Sequence, residues 1–505
     1  MVLGIDLGTT YSVAAFVDDM GEPRAIYNAE GKTTTPSVVY FEDESNVVVG
    51  QTAKEFRATE SKQVISTVKN AIGQDKEYSP LPNMKVSPQE VSSFVLRKVV
   101  RDAEMYFGDS EVIKDVVVTV PAYFTEAQRR ATSEAVKYAG LNLISTINEP
   151  TAAAVYYAYK TKVKETKTLV FDLGGGTFDV TIMHINGDDV EVLATNGHNN
   201  LGGSFFDQHL VDYICEQFEE KHGIDLEDEE YSDLYYGLYE KVETAKRQIC
   251  RTKNQTQIVI NAGVAKDNIV LTYDFFLKAI SKHCNKIEDM VNFVIEDAGL
   301  KPTDIDQVIM VGGSSRIPYI QEQIEKLVGK KPLNVVNPDE AVALGAAILA
   351  DKLSKSEANV VKDVCSHGIG FLRYSPKEDT KYNVVMVPRN TQLPTQASND
   401  LFAFACDNQK IVKLVLTESE YEDVMYAVEI REVQIELPDG IKKGMKYSVE
   451  LSIDEKQNIS IALNIPDLNK TVVEGMTEES GNDSEKEYVE KINRRAEELL
   501  SINIA

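Results

Sequence analysis

The sequence predicts an α/β protein with mixed sheets over roughly its first 350 residues, followed by a small antiparallel β-sandwich domain and one short C-terminal helix. Three observations predict this. Apolar strand segments alternate with capped amphipathic helices as far as residue 355. An Asp–Gly–Thr turn occurs once in each half of that region. Beyond Ser356 the helical period fades, and short apolar runs are separated by Pro, Gly, Asn and Asp, the pattern of an antiparallel β domain.

Strands are expected at 47–49, 116–120, 168–172 and 308–311. Ser87-Pro88-Gln89-Glu90 is a capping box with proline at the first helical position. Val91, Val95, Val99 and Ala103 follow at helical spacing. Thr125-Glu126-Ala127-Gln128 repeats the box, and Asn337-Pro338-Asp339-Glu340 is expected to do so before a helix at 341–349. Such alternation of strand and helix predicts an α/β domain. Residues 359–370 read as a linker. Five β runs follow, at 382–387, 411–416, 426–437, 447–453 and 459–465. After a polar stretch, 484–500 is expected to be helical.

The chain has 505 residues, with 80 acidic against 53 basic side chains and a formal charge of −27. That balance argues against nucleic acid and against anionic membranes as partners, because both need clustered Lys and Arg. The five cysteines, Cys215, Cys250, Cys284, Cys365 and Cys406, form no C-x-x-C pair, which fits a reducing compartment. No signal-like leader or membrane-length apolar run is visible, so a cytoplasmic location is expected.

Gly31-Lys32-Thr33 resembles the end of a P-loop, but Ile26 stands where the first glycine belongs. The phosphate site is expected elsewhere. Gly4-Ile5-Asp6-Leu7-Gly8-Thr9-Thr10 is echoed by Phe171-Asp172-Leu173-Gly174-Gly175-Gly176-Thr177. Glycine lets backbone N–H groups approach phosphate, while Thr9, Thr10 and Thr177 add hydroxyls. Asp6, Asp172 and Asp179 supply carboxylates able to hold Mg²⁺ through its water shell. Either turn alone is an ordinary glycine turn; the pair, in separate halves, favours a clamp for a triphosphate. Val311-Gly312-Gly313-Ser314-Ser315-Arg316-Ile317-Pro318 offers a flat glycine surface, and the Arg316 guanidinium could stack on a base. Glu243, Lys246 and Arg247 share one helix face. Taken alone, these three read as a surface ion-pair cluster.

These segments, with Ile147-Asn148-Glu149-Pro150-Thr151 and Asn337–Ala343, occur in an order that resembles the seventy-kilodalton heat-shock chaperone family. Arg389–Thr395 and Asp407–Gln409 extend the resemblance more weakly to about residue 475. The resemblance implies an actin-like (duplicated ribonuclease H-like) ATPase domain at 1–358, a linker at 359–368, a β-sandwich peptide-binding domain at 369–475 and a lid remnant at 476–505. It implies ATP hydrolysis coupled to binding of extended apolar peptides of unfolded proteins, with ATP/ADP, Mg²⁺ and K⁺ as ligands. Lys69, Asp6, Glu149, Asp172, Thr177 and Asp179 take the catalytic positions; Asp6, Asp172 and Glu149 surround the metal, mainly through water. Gly8, Thr9, Thr10, Tyr11, Gly174, Gly175, Gly176, Thr177, Gly202 and Gly203 match the phosphate loops. Glu243, Lys246, Arg247, Cys250, Gly312, Gly313, Ser314, Arg316, Ile317 and Asp339 match the adenosine pocket. Phe402, Ala405, Val412 and Leu414 are peptide-pocket candidates, with sandwich core as the competing reading. Pro121, Arg129 and Asp363 match the allosteric switch. A J-domain co-chaperone and a nucleotide-exchange factor are implied partners of a monomer.

Several positions depart from the family pattern. Asn359-Val360-Val361-Lys362 replaces a leucine run before Asp363, Cys250 replaces a serine, Ser204 a glutamate, Ser145 a J-domain-contacting arginine and Asn383 an apolar arch residue. Weaker linker docking is expected, and with only a lid remnant, fast peptide exchange in both nucleotide states. Two alternatives stand beside the chaperone. One is an exchange-factor or holdase relative with little ATP turnover. The other is a small-molecule kinase of the same superfamily, which would have no need of the β domain.

Overall fold

A computed structural model of the chain describes all residues except 109–111, 334–336, 358–360, 376–379, 456 and 476–482. Two lobes with matching sheets make up its first two-thirds. In the first lobe, Val2–Asp6 runs parallel to Asp115–Val120 on one side and antiparallel to Tyr11–Val17 on the other. Asn142–Asn148 and Pro23–Ala25 lie outside these. In the second lobe, Thr166–Leu173 runs parallel to Gln307–Val311 and antiparallel to Phe178–Asn186, with Asp189–His198 beyond. Register is repeated as well as topology. Asp6 stands opposite Val13, and Asp172 opposite Asp179. Both central strands are covered on both faces, which explains their near-continuous apolar runs.

Two helices cross between the lobes. Glu149–Thr161 leaves the first sheet and packs mainly on the second; Ala341–Ser354 packs on the first. They meet at small residues. A Cβ on Gly345 would lie 1.8 Å from the Ala152 carbonyl oxygen, and one on Gly4 would lie 2.1 Å from the Ala347 nitrogen.

The boxes at Ser87 and Thr125 form and open the helices Pro88–Phe107 and Glu126–Tyr138. The third expected box does not form. Ala341–Ser354 has Glu340 at its N-cap and no side-chain cap bond. The Asn337 carboxamide instead accepts from the Asp339 amide at 3.2 Å, and the Glu340 carboxylate accepts from Thr33 Oγ1 at 2.7 Å.

The β region is a two-sheet sandwich. Thr380–Val387, Ile369–Ser375, Ile411–Glu418 and Val428–Glu436 form one sheet; Thr395–Ala403, Lys446–Ile453, Ile459–Ile465 and Lys470–Gly475 form the other. Phe371, Leu416, Ile435, Val449, Leu451, Ile461 and Leu463 fill the space between. Ile369–Ser375, Thr395–Ala403 and Lys470–Gly475 were absent from the sequence expectation, because polar residues and Gly370 break their patterns. The expected run at 426–437 starts later, since Val424–Tyr426 is a 3₁₀ turn.

The C-terminal helix Asp483–Leu500 lies against the first lobe. Ile492, Ala496, Leu499 and Ile502 join that lobe's core. Arg495 pairs with Glu90 at 2.6 Å, and Tyr488 donates to Glu134. The chain then adds Asn503–Ile504 as a parallel strand beside Asn46–Val47. Among the described residues, no helix is long and apolar enough to cross a membrane.

Candidate active site

A cleft of 1610 Å³ lies between the lobes and is lined by residues of both. Its floor is the pair of glycine turns, which touch. A Cβ on Gly175 would strike the Thr10 side chain at 2.6 Å, and one on Gly176 would strike Asn70 Oδ1 at 1.9 Å and Thr9 Cγ2 at 2.9 Å. A Cβ on Gly8 would lie 2.0 Å from the Tyr11 carbonyl oxygen. No side chain fits at these places, so both turns stay bare, with Gly8, Gly174 and Gly175 facing the cleft.

Four ionisable groups crowd beneath. Lys69 and Glu149, both buried, pair at 2.5 Å. Asp6 accepts from Thr119 Oγ1 at 3.0 Å. Burial and the neighbouring Glu149 push its carboxyl up to about 7. The same causes hold Asp172 well above the usual carboxylate range. This is negative charge packed faster than the protein compensates it, and a bound cation would relieve it. Among the described residues, no three such side chains converge closely enough to ligate an ion directly. Carboxylates such as Asp6, Asp172 and Glu149 can hold octahedral Mg²⁺ through its own water.

The adenosine candidates line the same cleft. Lys246 bonds the Gly203 carbonyl at 3.1 Å and Asp207 at 2.8 Å; Arg247 pairs with Glu243 at 2.5 Å. Arg316 pairs with Asp339 at 2.7 Å, and Gly313 has open space around it. Cys250 and Ile317 are buried in the lining. Gly312 takes a positive φ of 79° that favours glycine. Asp179, Gly176 and Gly202 do not line the cleft. Gly202 packs behind, with its Cβ position 2.6 Å from Gly175.

Asp179 faces the other way. Its carboxylate accepts from the amides of Ala122 at 3.2 Å and Tyr123 at 3.1 Å, and burial pushes it up to about 7. The carbonyls of those two residues accept from the end of the linker, just before the β domain: Ser366 Oγ reaches Ala122 O at 2.5 Å, and His367 Nε2 reaches Tyr123 O at 3.1 Å. Arg129, packed beside them, donates to Ala122 O at 3.1 Å and Asn148 Oδ1 at 2.8 Å. Asn148 in turn donates to the half-buried Asp363 carboxylate at 2.8 Å. Pro121 is buried at the start of this loop and accepts from the Phe124 amide at 3.2 Å.

The linker is docked on the second lobe. Val361–Lys362 adds to the second lobe's sheet beside Val190–Glu191, and Val364 is buried in the interlobe core. Residues 359 and 360, also in the linker, lie outside the described residues. Asn383 is no arch over a groove. It is buried, accepting from Thr417 Oγ1 at 2.6 Å and donating to the Tyr421 carbonyl at 2.8 Å. Of the peptide candidates, Val412 and Leu414 are buried in the sandwich core. Phe402 is half-buried, stacked on Tyr447 with Arg373 over its face, and Ala405 is exposed.

Sequence reading missed Asn70, Lys54, Thr119 and the Ser366–His367 pair. Asn70 Oδ1 is buried against Gly176 without a partner, and its only signal was adjacency to Lys69. Lys54 joins the lobes by bonding Tyr11 Oη at 3.3 Å and Glu243 at 3.0 Å; nothing in its sequence context marks it.

A model of the Hsp70 protein family matches residues 2–503. The chain is 39% identical over 425 residues to the chaperone protein DnaK of Thermosipho melanesiensis, covering 83% of this chain and 70% of that protein. It is 38% identical over 426 residues to the chaperone protein DnaK of Thermotoga neapolitana, with the same coverage. Paired glycine turns over a charged floor, a docked β-sandwich and a match along nearly the whole length agree: the chain belongs to the Hsp70 family.

Proposed function

We propose that the interlobe cleft binds Mg·ATP, and that its turnover governs access of extended apolar peptides to the β-sandwich. The chain is an ATP-dependent chaperone and an ATPase of the Hsp70 family. The observation that carries the site assignment is the contact of Gly175 and Gly176 with Thr9, Thr10 and Asn70 at a cleft that Asp6, Asp172, Lys69 and Glu149 also line.

Backbone N–H groups of the two turns, with Thr9, Thr10 and Thr177, grip the phosphates; Tyr11 closes the first turn's side. Lys69 orients the attacking water toward the γ-phosphate, with its ammonium held by Glu149. Asp6, Asp172 and Glu149 would hold Mg²⁺ through its water shell, and the ion would supply charge neutralisation to the triphosphate. Glu243, Lys246, Arg247, Cys250, Ser314, Arg316 and Asp339 frame the nucleoside. Asp179 acts from behind. It fixes the Ala122–Tyr123 backbone to which Ser366 and His367 dock, so a shift at the second turn reaches the β domain, with Pro121, Arg129 and Asp363 in the same network.

The domain division at 358, 368 and 475, K⁺ beside the phosphates, a monomeric state, a cytoplasmic location, and J-domain and exchange-factor partners belong to this proposal through the family resemblance. Phe402 and Ala405 are the reachable peptide candidates; Val412 and Leu414 touch an incoming chain only if the sandwich opens. Single-turnover hydrolysis of γ-labelled ATP tests the reading. Free phosphate without added substrate is expected. Label on a small molecule would support a kinase, and intact ATP a holdase.

A further inference from the structure

We infer that Asn70 is a catalytic residue of ATP hydrolysis in this chain: its side-chain amide, Nδ2, donates a hydrogen bond to the terminal phosphoryl group while water attacks it. This rests on the nucleotide reading of the cleft proposed above.

The chain presents Asn70 rigidly. Val68–Ala71 is a 3₁₀ turn entered through Thr67, whose positive φ of 52° is a conformation that few residues other than glycine hold. Val68, Ala71 and Ile72 are buried in the first lobe. Where the turn leaves, a Cβ on Gly73 would lie 2.8 Å from Gln128 Cα. With its apolar members locked in this way, the turn brings its two polar ones, Lys69 and Asn70, to the lining of the cleft.

The two ends of the Asn70 carboxamide lie in unlike surroundings. Oδ1 is buried at the seam between the glycine turns, 1.9 Å from the position a Cβ on Gly176 would take, and has no partner. Thr9 presents only its methyl group there, 2.9 Å from the same position. Nδ2 belongs to a half-buried residue lining the cleft and has no hydrogen-bond partner among the described residues. A residue that merely spaced the turns would do so at lower cost with an apolar side chain, because an unbonded polar group in a seam is unfavourable. The free amide therefore points to a ligand that completes it.

Chemistry selects that ligand. A phosphoryl group offers acceptors only, and so do Asp6, Asp172 and Glu149 when ionised. The Lys69 ammonium is already paired with Glu149 at 2.5 Å. A neutral N–H adds a donor for the charge on the phosphoryl oxygens and buries no further charge. In the step itself the water oxygen bonds to phosphorus. The β–γ bridging oxygen leaves on ADP with the electron pair of the broken bond, and the water proton ends on the released phosphate. Asn70 keeps its protons throughout. ADP lacks the group that Nδ2 serves.

Asn70→Ala and the isosteric Asn70→Asp, made in the full chain, test this by single-turnover hydrolysis of Mg·ATP and by calorimetry with Mg·ADP. Asn70→Ala is expected to hydrolyse about a hundredfold more slowly, with Mg·ADP affinity within about threefold of the parent's. Asn70→Asp keeps the shape but replaces the donor by an acceptor, and is expected to be at least as slow. A loss under about tenfold in Asn70→Ala overturns the inference. So does a parental rate in Asn70→Asp, which would make shape the requirement. A fall in Mg·ADP affinity as large as the loss of rate in Asn70→Ala also overturns it, since Asn70 would then be a spacer between the turns. A parent that binds no Mg·ADP would remove the nucleotide reading itself, and this inference with it.

Discussion

The two glycine turns share topology and register but differ in the residue that faces the aspartate across each hairpin. Opposite Asp6 stands Val13, buried with Ala343, Leu344 and Ala347 at the seam between lobes. Opposite Asp172 stands Asp179, bonded to the Ala122 and Tyr123 amides. One hairpin thus ends in packing and the other in a polar link to the β domain. A duplicated sheet places two similar turns at the cleft; among their differences, aspartate in place of valine gives the second hairpin alone its polar link.

Lys69 sits where both turns converge, so it should matter irrespective of that asymmetry. Lys69→Ala is expected to slow single-turnover hydrolysis by about a thousandfold, with Mg·ATP affinity by calorimetry changed far less. A loss under tenfold would place the reacting centre elsewhere. Asp179→Val gives the second hairpin the first one's residue. About thirtyfold slower hydrolysis is expected, from two unpaired amides at about 1 kcal/mol each, and the nucleotide response of interface fluorescence should disappear. Retained coupling would erase the distinction between the hairpins.

Proton linkage at the docking face sharpens the second arm's role. Glu418, accepting from the Glu126 amide at 2.9 Å, is pushed by burial from an ordinary 4.5 up to about 7. The docked state therefore retains a proton that the free domain loses, and docking should weaken about tenfold between pH 6 and pH 8. His367, facing Tyr123 and Glu420, has its pKa lowered by burial and works in the opposite sense; Glu126 and Arg129 complete the surroundings. In Glu418→Gln the trend should reverse, with docking tighter at pH 8, as read by fluorescence anisotropy of a labelled β domain. The smallest effect is expected at the first arm. Thr119→Val removes the hydroxyl donor to Asp6, and Mg·ADP affinity should fall about fivefold, near 1 kcal/mol. A much larger loss would mean that this hairpin carries more than grip.

Much of this was legible in the sequence because the grip depends on local chemistry. An Asp, a glycine turn and a threonine are contiguous, and helix caps at Ser87 and Thr125 report themselves within four residues. Asn70 and Lys54 were not legible, since their roles arise from contacts with Gly176 and Glu243, distant in the chain. Asn337 misled for the reverse reason: a correct local pattern lost its side chain to the Asp339 amide. Strands such as Thr395–Ala403 carry too many polar residues for a period of two to show.

The bare crossing of Glu149–Thr161 with Ala341–Ser354 makes that seam a fulcrum whose thickness is set by missing side chains. A methyl group at Gly345 would meet the Ala152 carbonyl at 1.8 Å and wedge the helices apart. Because the lobes extend well beyond the crossing, a small spreading there is magnified at the mouth of the cleft. One carbon atom at a buried glycine should therefore act like an exchange catalyst, hastening ADP departure without touching the nucleotide.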